Sequence, residues 1–127
     1  MAPELDELLC ARYPLIFAER HGDPSTTSMC WGFETGDGWF SLINVLCREL
    51  QRETEEQGAP QLTASQVKAK GGSLRFHVGS ASDRQRAMID LARAISRHMC
   101  DACGTMEAAD ENLVAGGPTR CRACRSK

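Results

Sequence analysis

Apolar residues in this chain recur with two periods, and the period changes where glycine or proline intervenes. Trp39, Leu42, Ile43, Leu46 and Leu50 recur at helical spacing with Cys47 beside them. Arg48, Glu49, Arg52, Glu53 and Glu56 fill the polar side. Residues three and four apart share a helix face, so this segment reads as an amphipathic helix. Asp37 is placed to cap its start, and Gly58 and Pro60 stop it. Over 62–78, "LTASQVKAKGGSLRFHV", the period drops to two: Leu74, Phe76 and Val78 alternate with Arg75 and His77. That is the pattern of a half-buried strand. Val67 and Ala69 are the inward residues of a partner strand. Lys70-Gly71-Gly72 supplies the turn, since glycine reaches positive φ without strain. Ser82 and Gln85 then match a capping box. The helix they open carries Met88, Leu91, Ala92, Ile95 and Met99 on one stripe and runs into Cys100.

The N-terminal third is less regular. Pro3 and the acids after it favour a helix start, with Leu5, Leu8 and Leu9 on one face until Pro14 interrupts. Leu15, Ile16 and Phe17 form a second apolar patch. "HGDPSTTS" (21–28) reads as a loop, "MCWGFE" (29–34) as a strand with Met29, Trp31 and Phe33 on one side, and "TGDG" (35–38) as a turn. The expected fold is α+β: a small antiparallel sheet, two main helices and a C-terminal zinc ribbon with four cysteine ligands. A core domain would span 1–99 and the ribbon 100–127. Trp31, Phe33, Trp39 and Phe40 are expected in or near the core. So are Leu46, Phe76, Leu91 and Ile95.

A chain of 127 residues holds one domain, or one with a small appendage. Its 42% apolar and 25% charged content is ordinary for a globular protein. The net charge of −2 is unevenly spread. Residues 1–83 carry 7 basic and 12 acidic side chains, a net of −5; residues 84–127 carry 8 and 5, a net of +3. No apolar run approaches the roughly 18–20 residues of a membrane span. The acidic start lacks the basic region of a signal peptide. A reducing cytoplasm is therefore the expected location, where paired cysteines more often hold metal than form disulfides.

Four of the seven cysteines fall in Cys100-Asp-Ala-Cys103-Gly104 and Cys121-Arg-Ala-Cys124, 17 residues apart. Two residues between cysteines let a tight turn aim both sulfurs at one ion, and two such pairs complete a tetrahedron. Four thiolates leave no open coordination position, so one structural Zn2+ is the expected cofactor. Such a site contributes on the order of 10–16 kcal/mol at neutral pH. The loop between the pairs is poor in apolar residues; Met106, Leu113 and Val114 make no core alone, so the ion is expected to order it. An iron–sulfur cluster also uses four thiolates, and His98 is a less favoured ligand. Cys10, Cys30 and Cys47 sit in apolar patterns and read as core thiols. A Cys/His nucleophile would need Cys30 or Cys47 beside His21 or His77, and the spacing gives no support for one.

Basic residues cluster late: Arg84, Arg86, Arg93 and Arg97 on the last helix, and Arg120, Arg122, Arg125 and Lys127 around the second cysteine pair. They read first as a solvated face. They could also grip phosphates, although 78–127 lacks the aromatics that stack single-stranded bases.

The segments "RYPLIF" (12–17), "GDGWFSLINVLCREL" (36–50), "QVKAKGGSLRF" (66–76) and "CDACG" (100–104) occur in that order. In this the chain resembles a group of small, largely uncharacterised proteins of phages and prophages. That group joins a Gly-x-Gly-Trp helix and a Lys-x-Lys-Phe-Gly-x-Leu-Arg-Phe hairpin to a zinc knuckle. Gly71 stands where the group often has an aromatic, and Cys124 where it often has histidine. The resemblance implies fold and a phage context in a bacterial host cytoplasm, and no agreed activity. A non-enzymatic protein is expected, with no membrane and no small-molecule substrate. It would bind and inhibit or adapt a host protein or ribonucleoprotein complex, such as a CRISPR effector or a polymerase. An acidic face of Glu49, Glu53, Glu55 and Glu56, with Asp6 and Glu7, would suit a basic groove. The alternative is nucleic-acid binding through Arg93, Arg97, Arg122 and Arg125.

Overall fold

The computed structural model describes residues 1–106 and 118–125. Helix α1 runs Pro3–Arg12 and ends before Pro14. A 3-10 turn over Met29–Trp31 leads into the two-residue strand β1, Phe33–Glu34. A second 3-10 turn, Asp37–Trp39, opens helix α2, Phe40–Gln57. The hairpin of β2 (Ala64–Lys70) and β3 (Ser73–Val78) follows, then α3 (Asp83–Ser96) and the single helical turn α4 (Arg122–Arg125). The α+β class with two main helices is as the sequence predicts. No described helix is long and apolar enough to cross a membrane.

The sheet has the order β1-β2-β3. Its hairpin is antiparallel, with Val67 opposite Phe76 and Lys70 opposite Ser73. The short β1 joins β2 in parallel, Phe33 opposite Val67. Parallel strands need a crossover, and α2 provides it. At the hairpin tip Gly71 and Gly72 have φ of 61° and 78°. Both central positions of a type I′ turn need positive φ, so this glycine pair suits the twist of the strands.

One face of the sheet packs on α2 and α3. Trp39, Ile43, Leu50, Leu62, Val67 and Leu74 are essentially inaccessible. Phe17 meets Phe33 edge-on at 4.8 Å and Phe76 at 6.3 Å, joining the N-terminal segment to both strands. The capping box forms as expected: Gln85 N donates to Ser82 Oγ at 3.1 Å and Ser82 N to Gln85 Oε1 at 2.9 Å. Gln85 is fully buried, and its Nε2 donates to Leu50 O and Thr54 Oγ1. One side chain thus caps α3 and ties it to α2. Ser96, also buried, donates to Arg93 O and accepts from Leu74 N at 2.7 Å. That satisfies an amide on the outer strand β3.

Three expectations need correction. Residues 29–31 form a turn, not a strand; the tighter period buries Met29 and Phe33 and leaves Trp31 67% exposed. Leu91 is 62% exposed, because the apolar stripe of α3 is wider than the strip that α2 and the sheet cover. Asp37 is not the cap of α2. It lies inside the 3-10 turn, and its Oδ1 accepts from Ala2 N at 2.6 Å. The expectations for Leu113, Val114 and Lys127 lie outside the described residues.

Candidate metal centre

The two cysteine pairs converge from segments with different local structure. Cys100 follows the end of α3 and enters a turn closed by Gly104 N donating to Cys100 O at 2.9 Å, with Cys100 N donating to Thr105 O at 2.8 Å. Cys121 and Cys124 sit at the α4 turn, where Arg125 N donates to Cys121 O. The segments are joined by Asp101 N donating to Thr119 O at 2.7 Å. Arg120 Nε also pairs with the nearly buried carboxylate of Asp101 at 3.1 Å. Thr119 Oγ1 donates to Gly72 O, fixing this segment against the hairpin tip.

The sulfurs of Cys100, Cys103, Cys121 and Cys124 all lie within 4.8 Å of one another. Cys103 Sγ and Cys121 Sγ are 3.7 Å apart. Four sulfurs at about 2.3 Å from one ion in a tetrahedron stand about 3.8 Å from each other. The donor set therefore fits a single metal ion. Burial pushes the Cys100 thiol up, but the backbone N–H groups of Cys121, Cys103 and Ala102 outweigh it and bring the thiol down to about 6. The neighbouring Cys121 sulfur, followed by burial, pushes Cys124 up to about 12. Four sulfurs this close cannot all be thiolates without a cation among them.

The centre is seated on the "GDGW" segment. Gly38 N donates to Asp101 O at 2.8 Å. A Cβ on Gly38 would collide with Cys100 O and stand 2.6 Å from Gly104 N; one on Gly36 would collide with Asp101 O. Trp39 Nε1 donates to Met99 O at 2.9 Å, from a fully buried ring. Backbone lies directly on backbone, which only glycine permits at this distance. Sequence reading finds the four cysteines and misses this seat. The signal is present in the two glycines flanking Asp37, but it gains meaning only beside a segment more than sixty residues away.

The remaining expected residues are dispersed. Among the described residues the thiol cluster contains only the four cysteines; His98 is exposed and outside it. Cys47 is fully buried, with its thiol pushed up by burial, as a core thiol should be. Cys10 and Cys30 are only half-buried. Cys10 shares a groove with His21, but burial first and Asp6 next raise its thiol to about 11, the reverse of an activated nucleophile. Of the acidic residues on α2, Glu49 pairs with Arg52 at 3.2 Å and Glu53 with Arg84 at 3.7 Å, while Glu55 and Glu56 are exposed. Arg93 and Arg97 are exposed at α3 and its end, and Arg122 and Arg125 lie on α4. No family model matches this chain, and neither a curated protein nor a solved structure matches it.

Proposed function

We propose that this is a non-enzymatic docking protein, built around one structural zinc ion, that binds and inhibits or adapts a macromolecular complex in a bacterial host. A defence complex such as a CRISPR effector, or a polymerase, is the target class. The metal reading is supported by the close approach of the four sulfurs. An iron–sulfur cluster hands its cysteines to different irons and spreads them wider than one shared ion does. Zinc suits four thiolates in a closed tetrahedron, where it supports structure and leaves no position for substrate.

The docking reading is carried by one observation: large apolar side chains face outward. Trp31 is 67%, Leu91 62% and Val45 44% exposed. Val45 and Leu91 border an apolar groove of about 150 Å³ between α2 and α3. Exposed apolar side chains gathered round one groove, as Val45 and Leu91 are, mark an interaction surface more than singly scattered ones do. The test is capture of partners from a bacterial lysate on the immobilised, zinc-loaded chain. A host complex is expected to be retained by the wild type and lost with Leu91→Asp or Trp31→Ala. Retention of nothing would contradict the reading.

A second reading, nucleic-acid binding, is favoured by the placement of Arg86, Arg93 and Arg97. At intervals of seven and four they follow one side of α3 and its end, and all three are exposed. If it holds, retention on DNA or RNA falls steeply with salt, and Arg97→Glu or Arg122→Glu abolishes it.

A further inference from the structure

We infer that the outer edge of β3 accepts an extended segment of a partner polypeptide, which adds to the sheet as a fourth strand beside Phe76–Val78. The order β1-β2-β3 leaves β3 at the edge. A groove of about 300 Å³ is bordered there by Phe76, His77 and Val78 and by Arg86, Ile89 and Asp90 of α3. Three consecutive strand residues line it although their side chains alternate between faces, so the groove follows the backbone edge. This surface is separate from the α2/α3 groove and goes beyond the docking role proposed above.

Alternation fixes which backbone groups look into the groove. Leu74 N points away from β2, since it donates to Ser96 Oγ. Successive residues of a strand turn their N–H and C=O groups to opposite sides, so Phe76 and Val78 also turn theirs outward. The neighbouring bonds agree. Gly79 N donates to Thr63 O across the hairpin, while Ala64 N, opposite Val78, donates away from β3 to Ile16 O. Among the described residues no hydrogen bond meets the N–H or C=O of Phe76 or Val78. Both ends of this stretch are closed, by Ser96 at Leu74 and by Arg86 Nη2 donating to Gly79 O at 3.3 Å. Between them two residues each present a donor and an acceptor, spaced for an added strand of about three residues. Phe76 is only 6% exposed, and unpaired backbone groups shielded from water are costly, so pairing here is favoured.

Backbone pattern, not charge, selects the occupant. Arg86 and Asp90 stand one turn apart on α3 and offset each other, and Ile89, Phe76 and Val78 supply the apolar lining. An extended segment with β-branched apolar residues at alternate positions suits that lining, as in other cases of strand addition. A second copy of this chain does not. α3 overhangs the edge, as the Ser96 bond to Leu74 N shows. Antiparallel pairing of two β3 edges about 4.8 Å apart would bring two helices, each about 10 Å across, onto one seam. A separate extended segment brings no helix.

Amide hydrogen exchange read residue by residue tests this. In the free protein Phe76 and Val78 are expected to exchange fast. Leu74, Arg75 and His77, bonded to Ser96 or facing β2, are expected to exchange slowly. The probe is a lysine-flanked peptide of alternating threonine and valine. It is expected to slow Phe76 and Val78 about tenfold once its concentration exceeds its Kd about tenfold, and to leave Leu74 unchanged. Methylating two adjacent central amides of the peptide keeps its side chains and is expected to weaken binding about tenfold. Val78→Pro removes an outward donor that β2 does not use and is expected to weaken binding several-fold. Asp90→Trp, at an exposed position on the groove wall, is expected to obstruct the peptide while leaving the unfolding midpoint unaltered. Equal binding of the methylated peptide overturns the assignment, as does the absence of any slowing at Phe76 and Val78. Slow exchange there in the free protein also overturns it. If independent of concentration, it means that the chain covers its own edge; if rising with concentration, that a second copy does. If the peptide fails while a lysate partner is captured, strand addition falls and the docking role stands. If the peptide binds and the lysate yields nothing, strand addition stands and the host-complex reading falls.

Discussion

Gly36 and Gly38 carry no side chain because the backbone of the first cysteine pair occupies the space where one would be. Gly38→Ala therefore forces the Cys100–Gly104 turn off its seat. It is expected to cost about 3 kcal/mol or more and to weaken zinc retention, although residue 38 touches no metal. Equilibrium unfolding and a chelator competition check both parts. Gln85 makes a comparable demand in the core. Gln85→Ala leaves the Ser82 cap in place but removes the reciprocal bond from Ser82 N and the bonds to Leu50 O and Thr54 Oγ1, an expected loss of about 2 kcal/mol, read from the denaturation midpoint. Cys10 carries a pH dependence. Its thiol rises from 9.0 to about 11 on folding, so folding favours the protonated form. That contribution is complete below pH 9 and lost as pH rises through 11. Cys10→Ser is expected to flatten the fall in unfolding midpoint across this window.

At the scale of elements, legibility in the sequence follows the range of the interactions. The helix at 40–57 and the hairpin at 64–78 are readable because their periods are set by neighbours three, four or two residues away. The capping box of Ser82 and Gln85 is equally local, and Ser82→Ala is expected to cost about 1 kcal/mol in a thermal or chemical melt. The two pairs of cysteines are readable because each pair is a single turn. Periodicity misplaces Trp31 because "MCWGFE" alternates like a strand, while a 3-10 turn and Gly32 at φ 77° rotate the indole outward. It misplaces Leu91 because it identifies an apolar stripe but not how much of it a neighbouring element covers. The glycine seat cannot be found locally, because it joins segments distant in sequence, 36–39 with 99–104.

Across the whole molecule, the thiol cluster ties its surroundings together. Its first turn rests on the start of α2, and Thr119 holds the hairpin tip. As thiolates, four sulfurs crowded within 4.8 Å favour the assembled state only when a cation compensates them. Metal binding and folding of this region are then one equilibrium. Acid is expected to release the ion as protons compete for the thiolates. The most direct measurement is metal content on the purified chain, combined with thermal unfolding with and without a strong chelator. The account predicts one zinc per chain, four thiols that react with a thiol reagent only after chelation, and a melting point lowered by about 10 °C or more. Metal-free protein melting identically in both conditions would contradict it.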